Sequence, residues 1–353
     1  MTVPGPASNL RIVVVAINPA GTLGHATSAS AIVETLLAVE GDRPRVAVIA
    51  DDTILPFVGG GDVIAVTRSS DERSDGGALS YSYTPELTPQ ILGLCPDIVV
   101  FDTFFASDAV RALREANVAT VLVSYRFRDT AMEIFRTQWL EFFSRCFWLL
   151  EPFESAAEIG TIGMGQEISL PPLSRPKAVP PARVDERYVL LTRGGGGQPG
   201  TQRAFVRVME CLASESALTP IVVNSPSGTA VEFEQTGKSR VLDHLGRLEF
   251  LSLLRSAELV VSEAGFNTCL ELACVGQRAL LVPGPRRTDN QELRAVRMSA
   301  LPGFSYVLPE HTHKITEEFI HHCIHSSETI RPLDAQASCG PQLFRSILYG
   351  EVT

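Results

Sequence analysis

Short unbroken runs of aliphatic and β-branched residues recur along the chain, with helical stretches between them. The N-terminal half carries "RIVVVAI" (11–17), "RVAVIA" (45–50), "DVIAVT" (62–67), "DIVVFD" (97–102) and "ATVLVSY" (119–125). After residue 184 the rhythm restarts with "RYVLLTR" (187–193), "PIVVNS" (220–225), "ELVVSEA" (258–264) and "ALLVPG" (279–284). A strand that is apolar at every position is buried on both faces, as in a parallel sheet covered by helices on each side. Two such series predict an α/β protein of two Rossmann-like, doubly wound domains.

Between the series lies "LPPLSRPKAVPPARVDER" (170–187), whose prolines exclude both helix and central strand. It reads as an extended linker. The expected organisation is therefore 1–169 as the first domain, 170–184 as the linker, 185–335 as the second domain and 336–353 as a closing helix. Open α/β sheets bind ligands beyond the carboxyl ends of their strands, so two facing domains enclose a cleft.

Composition narrows the partners. A formal charge of −10 and an aromatic content of 7% argue against a phosphate-backbone or base-stacking surface, so no nucleic acid is expected. The 7 cysteines form no C-x-x-C and sit mostly in apolar runs, which fits reduced thiols. The start "MTVPGPASNLR" lacks the basic and apolar regions of a signal peptide, and no apolar run reaches the ~20 residues of a membrane span. A cytoplasmic protein is expected.

"LLTRGGGGQPGTQRAF" (190–205) reads as strand, glycine turn and helix. Glycine-exposed amides at a helix N-terminus suit a phosphate. Thr201 stands where a Walker A lysine would be, which argues against nucleotide hydrolysis. Gly195, Gly197 and Gly200 satisfy G-x-G-x-x-G, but the next strand ends in Asn224 and Ser225 rather than an acidic ribose holder, so NAD is disfavoured. A diphosphate cradle and a plain glycine turn both remain open.

In "AINPAGTLGHATSASAIVETLLA" (16–38), Gly21 and Gly24 allow a tight turn and His25 falls at a helix start. The positive end of the helix dipole favours the neutral imidazole, which suits a general base; a hydrogen-bonded capping histidine is the plain alternative. Asp102 ends "DIVVFD" at the carboxyl edge. It either orients His25 or, more simply, caps a helix starting near Phe104.

"SEAGFNTCLELACVG" (262–276) places Glu271 three residues after Thr268, a T-x-x-E capping box. The alternative is a carboxylate that receives ligand hydroxyls. Gly265 leaves room for close approach, and one strand further Asp289, Asn290, Gln291 and Glu292 open a helix. Hydrogen-bonding side chains beside a diphosphate cradle describe a site for ribose and a sugar.

Residues 248–295, "LEFLSLLRSAELVVSEAGFNTCLELACVGQRALLVPGPRRTDNQELRA", resemble the donor-binding half of MurG-type GT-B glycosyltransferases. "GTLGHATSA" (21–29) and "GGGGQPG" (194–200) are similar to that family's two glycine loops. The resemblance implies a GT-B fold, an acceptor-binding N-terminal domain, a donor-binding C-terminal domain and a last helix, "GPQLFRSILYG" (340–350), packed back on the first domain. It implies that Glu271 binds the ribose hydroxyls and that Gln291 contacts the donor sugar, with Asp289 and Asn290 nearby. Backbone groups of "LGRLEF" (245–250), around Leu248, would meet the base. Arg193, Gly195, Gly196, Gly197, Gln198, Gly265, Asn267 and Thr268 complete the expected donor set.

The first loop departs from the fuller G-G-x-G-G-H form, and "SYRFRDT" (124–130) departs from the MurG segment, so the MurG lipid is not the expected acceptor. The acceptor is an open small molecule or lipid-linked group. The chain has no D-x-D, so the implied chemistry is metal-independent and inverting, with His25 taking the acceptor proton and glycine-loop amides holding the leaving group. Arg193 would add positive charge there, whereas Arg286 and Arg287 are expected to face solvent.

Similar GT-B chains include sugar-nucleotide hydrolases and epimerases, the runner-up reading. A non-catalytic sugar-nucleotide binder is a third. "HTH" (311–313) and "HHCIH" (321–325) lack the glutamate of H-E-x-x-H, and the second belongs to an amphipathic helix that buries Phe319, Ile320, Cys323 and Ile324, so no metal is expected. "WLEFFSRCFWLLEPF" (139–153) reads as core plus strand, with an exposed part as a candidate for an apolar acceptor or peripheral membrane contact.

Overall fold

The structure, a computed structural model, describes residues 10–17, 24–38, 44–51, 62–66, 80–81, 85–125, 127–151, 166–173, 180–193, 199–224, 239–243, 245–286, 289–326, 330, 332, 341, 344, 345 and 348. At 24, 25, 51, 62, 63, 65, 66, 81 and 199 the description is of the backbone only.

The apolar runs become strands buried on both faces. In β1 (Arg11–Ala16), Ile12, Val14 and Ala16 enter one core, while Val13, Val15 and the following Ile17 enter another. Alternate side chains point to opposite faces, so a run apolar at every position needs a helical layer on each side. The chain continues through α1 (Gly24–Leu37), β2 (Arg45–Asp51), β3 (Asp62–Val66), the short β4 (Ser80–Tyr81), α2 (Leu87–Gly93) and β5 (Ile98–Asp102). It then forms the short β6 (Phe105–Ala106), α3 (Ser107–Glu115), β7 (Ala119–Tyr125), α4 (Asp129–Gln138), β8 (Arg145–Leu149) and β9 (Glu167–Leu170). Seven parallel strands make the first sheet, in the order β3-β2-β1-β5-β7-β8-β9.

The second sheet repeats the plan. Its elements are β10 (Tyr188–Thr192), α5 (Gln202–Ala213), β11 (Thr219–Asn224), β12 (Arg240–Asp243), α6 (Arg247–Ser256) and β13 (Leu259–Ser262). They are followed by α7 (Phe266–Val275), β14 (Ala279–Leu281), α8 (Gln291–Met298), β15 (Phe304–Tyr306) and α9 (Glu317–His325). The order is β12-β11-β10-β13-β14-β15, again all parallel. Val189 and Leu191 of β10 enter one core and Tyr188 and Leu190 the other.

In each sheet the strand order reverses beside the first strand, between β1 and β5 and between β10 and β13. A crevice opens at such a point, because the flanking connections leave to opposite faces.

The proline segment is anchored at both ends. Leu170 and Leu173 are buried in the first domain's core, and Ala182 donates its N–H to Ser256 Oγ at 2.8 Å in the second. Residues 341, 344, 345 and 348 are helical; Phe344 sits edge-on to Phe147 of β8 at 4.9 Å, inside the first domain's core. The aromatic stretch is core: Trp139, Phe143, Phe147 and Trp148 are buried, and Arg114 lies over Phe142. Among the described aromatics of that stretch, Phe142 is the half-buried one. In α9, Ile320, Cys323 and Ile324 are buried and Phe319 packs beside them.

Candidate functional site

β10 and β13 end in register, Thr192 opposite Ser262, so the next residues, Arg193 and Glu263, stand side by side at the crevice. Glu263 is buried, and its carboxylate accepts from Thr201 Oγ1 at 2.7 Å and from Arg286 Nη2 at 3.3 Å. Arg193 Nε lies 3.8 Å from the same carboxylate, and its Nη1 donates to Gln202 at 3.0 Å. Burial pulls the Arg193 guanidinium below its ordinary value, and Glu263 opposes that pull. The expectation that Arg286 faces solvent is corrected: its side chain is 20% exposed and turned inward to Glu263. One carboxylate thus braces two guanidiniums beside the start of α5. Gly195, Gly196, Gly197 and Gln198, like Arg287, lie outside the described residues.

The capping-box reading of Glu271 is also corrected. α7 begins at Phe266 with Gly265 as its N-cap, so Thr268 is the third helical residue and Glu271 lies a turn too deep to cap anything. The helix starts three residues earlier than the T-x-x-E pattern implies because Gly265, in extended conformation, ends the strand connection. Glu271 is 7% exposed, and burial pushes its carboxyl up to about 7, against the pull of Arg247, whose Nε lies 3.9 Å away. Arg247 opens α6, and its neighbour Leu248 is exposed at 67%. Among the described residues, a Cβ added to Gly265 would meet Thr268 Oγ1 at 3.9 Å, an ordinary contact, so the position is not crowded.

The loop after β14 is built from its own polar groups. Asp289 is buried and paired with Arg294; Asn290 caps α8, accepting from Leu293 N; Gln291 accepts from Gly284 N at 2.8 Å. These three side chains, expected to face a sugar, first of all shape the loop that carries them.

At the first sheet's crevice Asp102 is 1% exposed. It is not the N-cap of α3, which begins at Ser107 with Ala106 before it, because the short strand β6 intervenes. Thr103 holds a left-handed backbone, φ 66°, unusual for a β-branched residue; its hydroxyl donates to Asp102 at 3.3 Å and accepts from Ser124 at 3.3 Å. His25 is the second residue of α1, and its side chain lies outside the described residues.

The domains meet beside these groups. Asn267 Nδ2 reaches Ser28 Oγ, one turn beyond position 25, at 3.4 Å, and Tyr125 stacks on Phe266 at 5.3 Å. Sequence reasoning missed Glu263, Arg247, Arg294 and Glu151. Glu263 alone left a signal, a carboxylate directly after an apolar strand in a crevice position. Among the described residues no group of three or more His, Cys, Asp or Glu is placed to hold a metal, and no helix is long and apolar enough to cross a membrane.

Residues 201–336 match the model of the glycosyltransferase family 28 C-terminal domain. The chain is MurG-like, on a GT-B fold. Its GT-B architecture is shared by the spinosyn rhamnosyltransferase SpnG, at 15% identity and a TM-score of 0.60 over 97% of this chain and 96% of that one. The complex of S. aureus MnaA with UDP aligns at 13% identity and a TM-score of 0.65, covering 97% and 96%. The UDP-GlcNAc 2-epimerase from Neisseria meningitidis aligns at 12% and 0.61, covering 97% and 100%. In sequence, 113 residues are 29% identical to the UDP-N-acetylglucosamine--N-acetylmuramyl-(pentapeptide) pyrophosphoryl-undecaprenol N-acetylglucosamine transferase of Exiguobacterium sp.. That match spans 32% of this GT-B chain and 32% of the relative.

Proposed function

We propose that the protein is a glycosyltransferase that moves a sugar from a nucleoside-diphosphate sugar, UDP favoured, to a small-molecule or lipid-linked acceptor. The reaction in this reading is inverting and needs no metal. The observation that carries it is Glu271, a buried carboxylate in the second turn of α7, relieved of any capping role, in the family 28 domain. Ionised, it accepts two hydrogen bonds from vicinal ribose hydroxyls, which few buried groups can do. Leu248, beside Arg247 at the α6 start, would stand on the base side.

The diphosphate would sit at the β10/β13 crevice, over the glycine loop and the α5 start, with Arg193 and Arg286 adding charge. Gly265, Asn267 and Thr268 line the α7 start, and Asp289, Asn290 and Gln291 form the sugar-side loop. His25 would take the acceptor proton as the acceptor oxygen attacks the anomeric carbon, with Asp102 stabilising the imidazolium.

The test is a thermal-shift panel with UDP, dTDP, GDP and NAD in large excess. Ligand at ~100 times its dissociation constant stabilises by about 2.7 kcal/mol. One nucleoside diphosphate should raise the melt, and Glu271→Ala should abolish the rise. A shift by NAD alone would transfer the glycine loop to a dehydrogenase-like role. A second reading, sugar-nucleotide epimerase or hydrolase, is favoured by the epimerase among the structural neighbours. Rapid consumption of a UDP-sugar without any acceptor would select it.

A further inference from the structure

Arg294 is fully buried, yet every one of its guanidinium N–H groups has an acceptor. Nε and Nη2 donate to Glu151 Oε1 at 2.9 and 2.6 Å. Nη2 and Nη1 donate to the Asp289 carboxylate at 2.8 and 3.2 Å, and Nη1 also donates to the Ala264 carbonyl at 2.8 Å. The Tyr125 and Phe266 rings flank it, each centroid 5.7 Å from the guanidinium carbon. These partners come from both domains. Glu151 and Tyr125 follow or end strands β8 and β7 of the first sheet; Asp289, Ala264 and Phe266 belong to the second domain. Burial alone would pull the guanidinium down, but Asp289 and Glu151 outweigh it and hold the group above its ordinary value.

A second tie crosses at the same place. Arg128, just before α4, donates from Nε to the Asp289 carbonyl at 3.2 Å. Residue 289 is therefore held through its carboxylate by Arg294, itself fastened to Glu151, and through its carbonyl by the first domain directly. From that fixed residue, Asn290 caps α8 and Gln291 turns back to Gly284.

We propose that Arg294 is a positioning residue that makes the shape of the 289–291 loop depend on docking of the first domain. The proposal builds on the reading of this loop as the sugar-side wall of the donor site. In that reading the nucleotide is held by the second domain alone, whereas the sugar end of its pocket is completed only when Glu151 and Arg128 arrive. Lysine could not substitute for Arg294, because a single ammonium cannot divide five donors among two carboxylates and a carbonyl.

The experiment compares the full-length protein with Glu151→Gln and Arg128→Ala, both altered only in the first domain. Hydrogen exchange is followed over residues 284–298, with α5 as an internal control for global stability. Both variants should exchange the 284–298 amides about tenfold faster, with α5 unchanged, since removing the acceptor's charge (Glu151→Gln) or the charged donor (Arg128→Ala) costs an amount of that size at this seam. Calorimetry with UDP and with UDP-N-acetylglucosamine then reads the consequence: affinity for the UDP-sugar should fall at least about fivefold more than affinity for UDP. Unchanged exchange over 284–298 in both variants would overturn the proposal, as would equal losses for UDP and the UDP-sugar. If Glu151→Gln misfolds, Arg128→Ala, which removes one bond to a carbonyl, still decides it. Faster exchange in a protein that binds neither UDP nor UDP-sugar would retain the inter-domain coupling and sink the donor-site reading instead.

Discussion

At the carboxyl edge of the second sheet, a buried glutamate is held by a threonine and two arginines drawn from three other segments. At the same edge of the first sheet, Asp102 meets the hydroxyl of its own neighbour Thr103, and Thr103 in turn meets Ser124. The two sheets share topology at their crevices but not chemistry. In the proposed reading the second edge receives a dianionic diphosphate, which needs cations already in place, and a carboxylate that cross-braces them offsets the repulsion between the two guanidiniums. An edge that receives a neutral hydroxyl needs no standing charge beyond a proton acceptor and its partner.

The comparison breaks first at Glu263. Glu263→Leu should cost about 3–5 kcal/mol in a denaturant titration, because it strands Arg193 in a buried position. A loss no larger than that of Asp102→Asn, about 1 kcal/mol, would mean that the second edge is not braced at all.

Glu271 comes next. Its carboxyl is raised to about 7 in the folded protein, above the ordinary carboxyl range it returns to on unfolding. The folded state then holds the proton more tightly, so this contribution to stability is fully present below the unfolded value and is lost as pH rises through about 7. Glu271→Gln should therefore be more stable than the parent at about pH 8, by on the order of 2 kcal/mol, and no more stable at about pH 4. Equal melting differences at both pH values would refute the assignment.

The same group sharpens the binding side. A ribose needs the ionised carboxylate, so a UDP-sugar, whose esterified diphosphate does not titrate near neutrality, should bind about tenfold more weakly at about pH 6 than at about pH 8. Glu271→Gln should flatten that dependence in calorimetry. The smallest effect belongs to the first edge. Thr103→Gly relieves the left-handed backbone but forfeits two hydroxyl bonds, for a net loss below about 1 kcal/mol; a loss above about 3 kcal/mol would make Thr103 a brace like Glu263.

Much of the fold was legible because a strand apolar at every position has few places to go. The runs at 11–17, 97–102, 187–193 and 258–264 became the central strands, and the carboxyl edges followed from them. β9, β12 and β15, of 4, 4 and 3 residues, were not legible, since an edge strand that short leaves no periodic signal. Glu271 was visible as a candidate, but T-x-x-E does not fix its own register; the extended Gly265 did, three residues upstream. Asp102 was misplaced at a helix start for a similar reason, because the two-residue β6 delays α3 to Ser107. Arg294 could not be read at all, since its partner Glu151 lies 143 positions away and neither has a local motif.

The most direct measurement is calorimetric titration of UDP into the parent protein, Glu271→Gln and Asp102→Asn. The account predicts that Glu271→Gln weakens binding at least about tenfold while Asp102→Asn leaves it unchanged, because the nucleotide belongs to the second edge alone. Full UDP affinity in Glu271→Gln, or a comparable loss in Asp102→Asn, would contradict it.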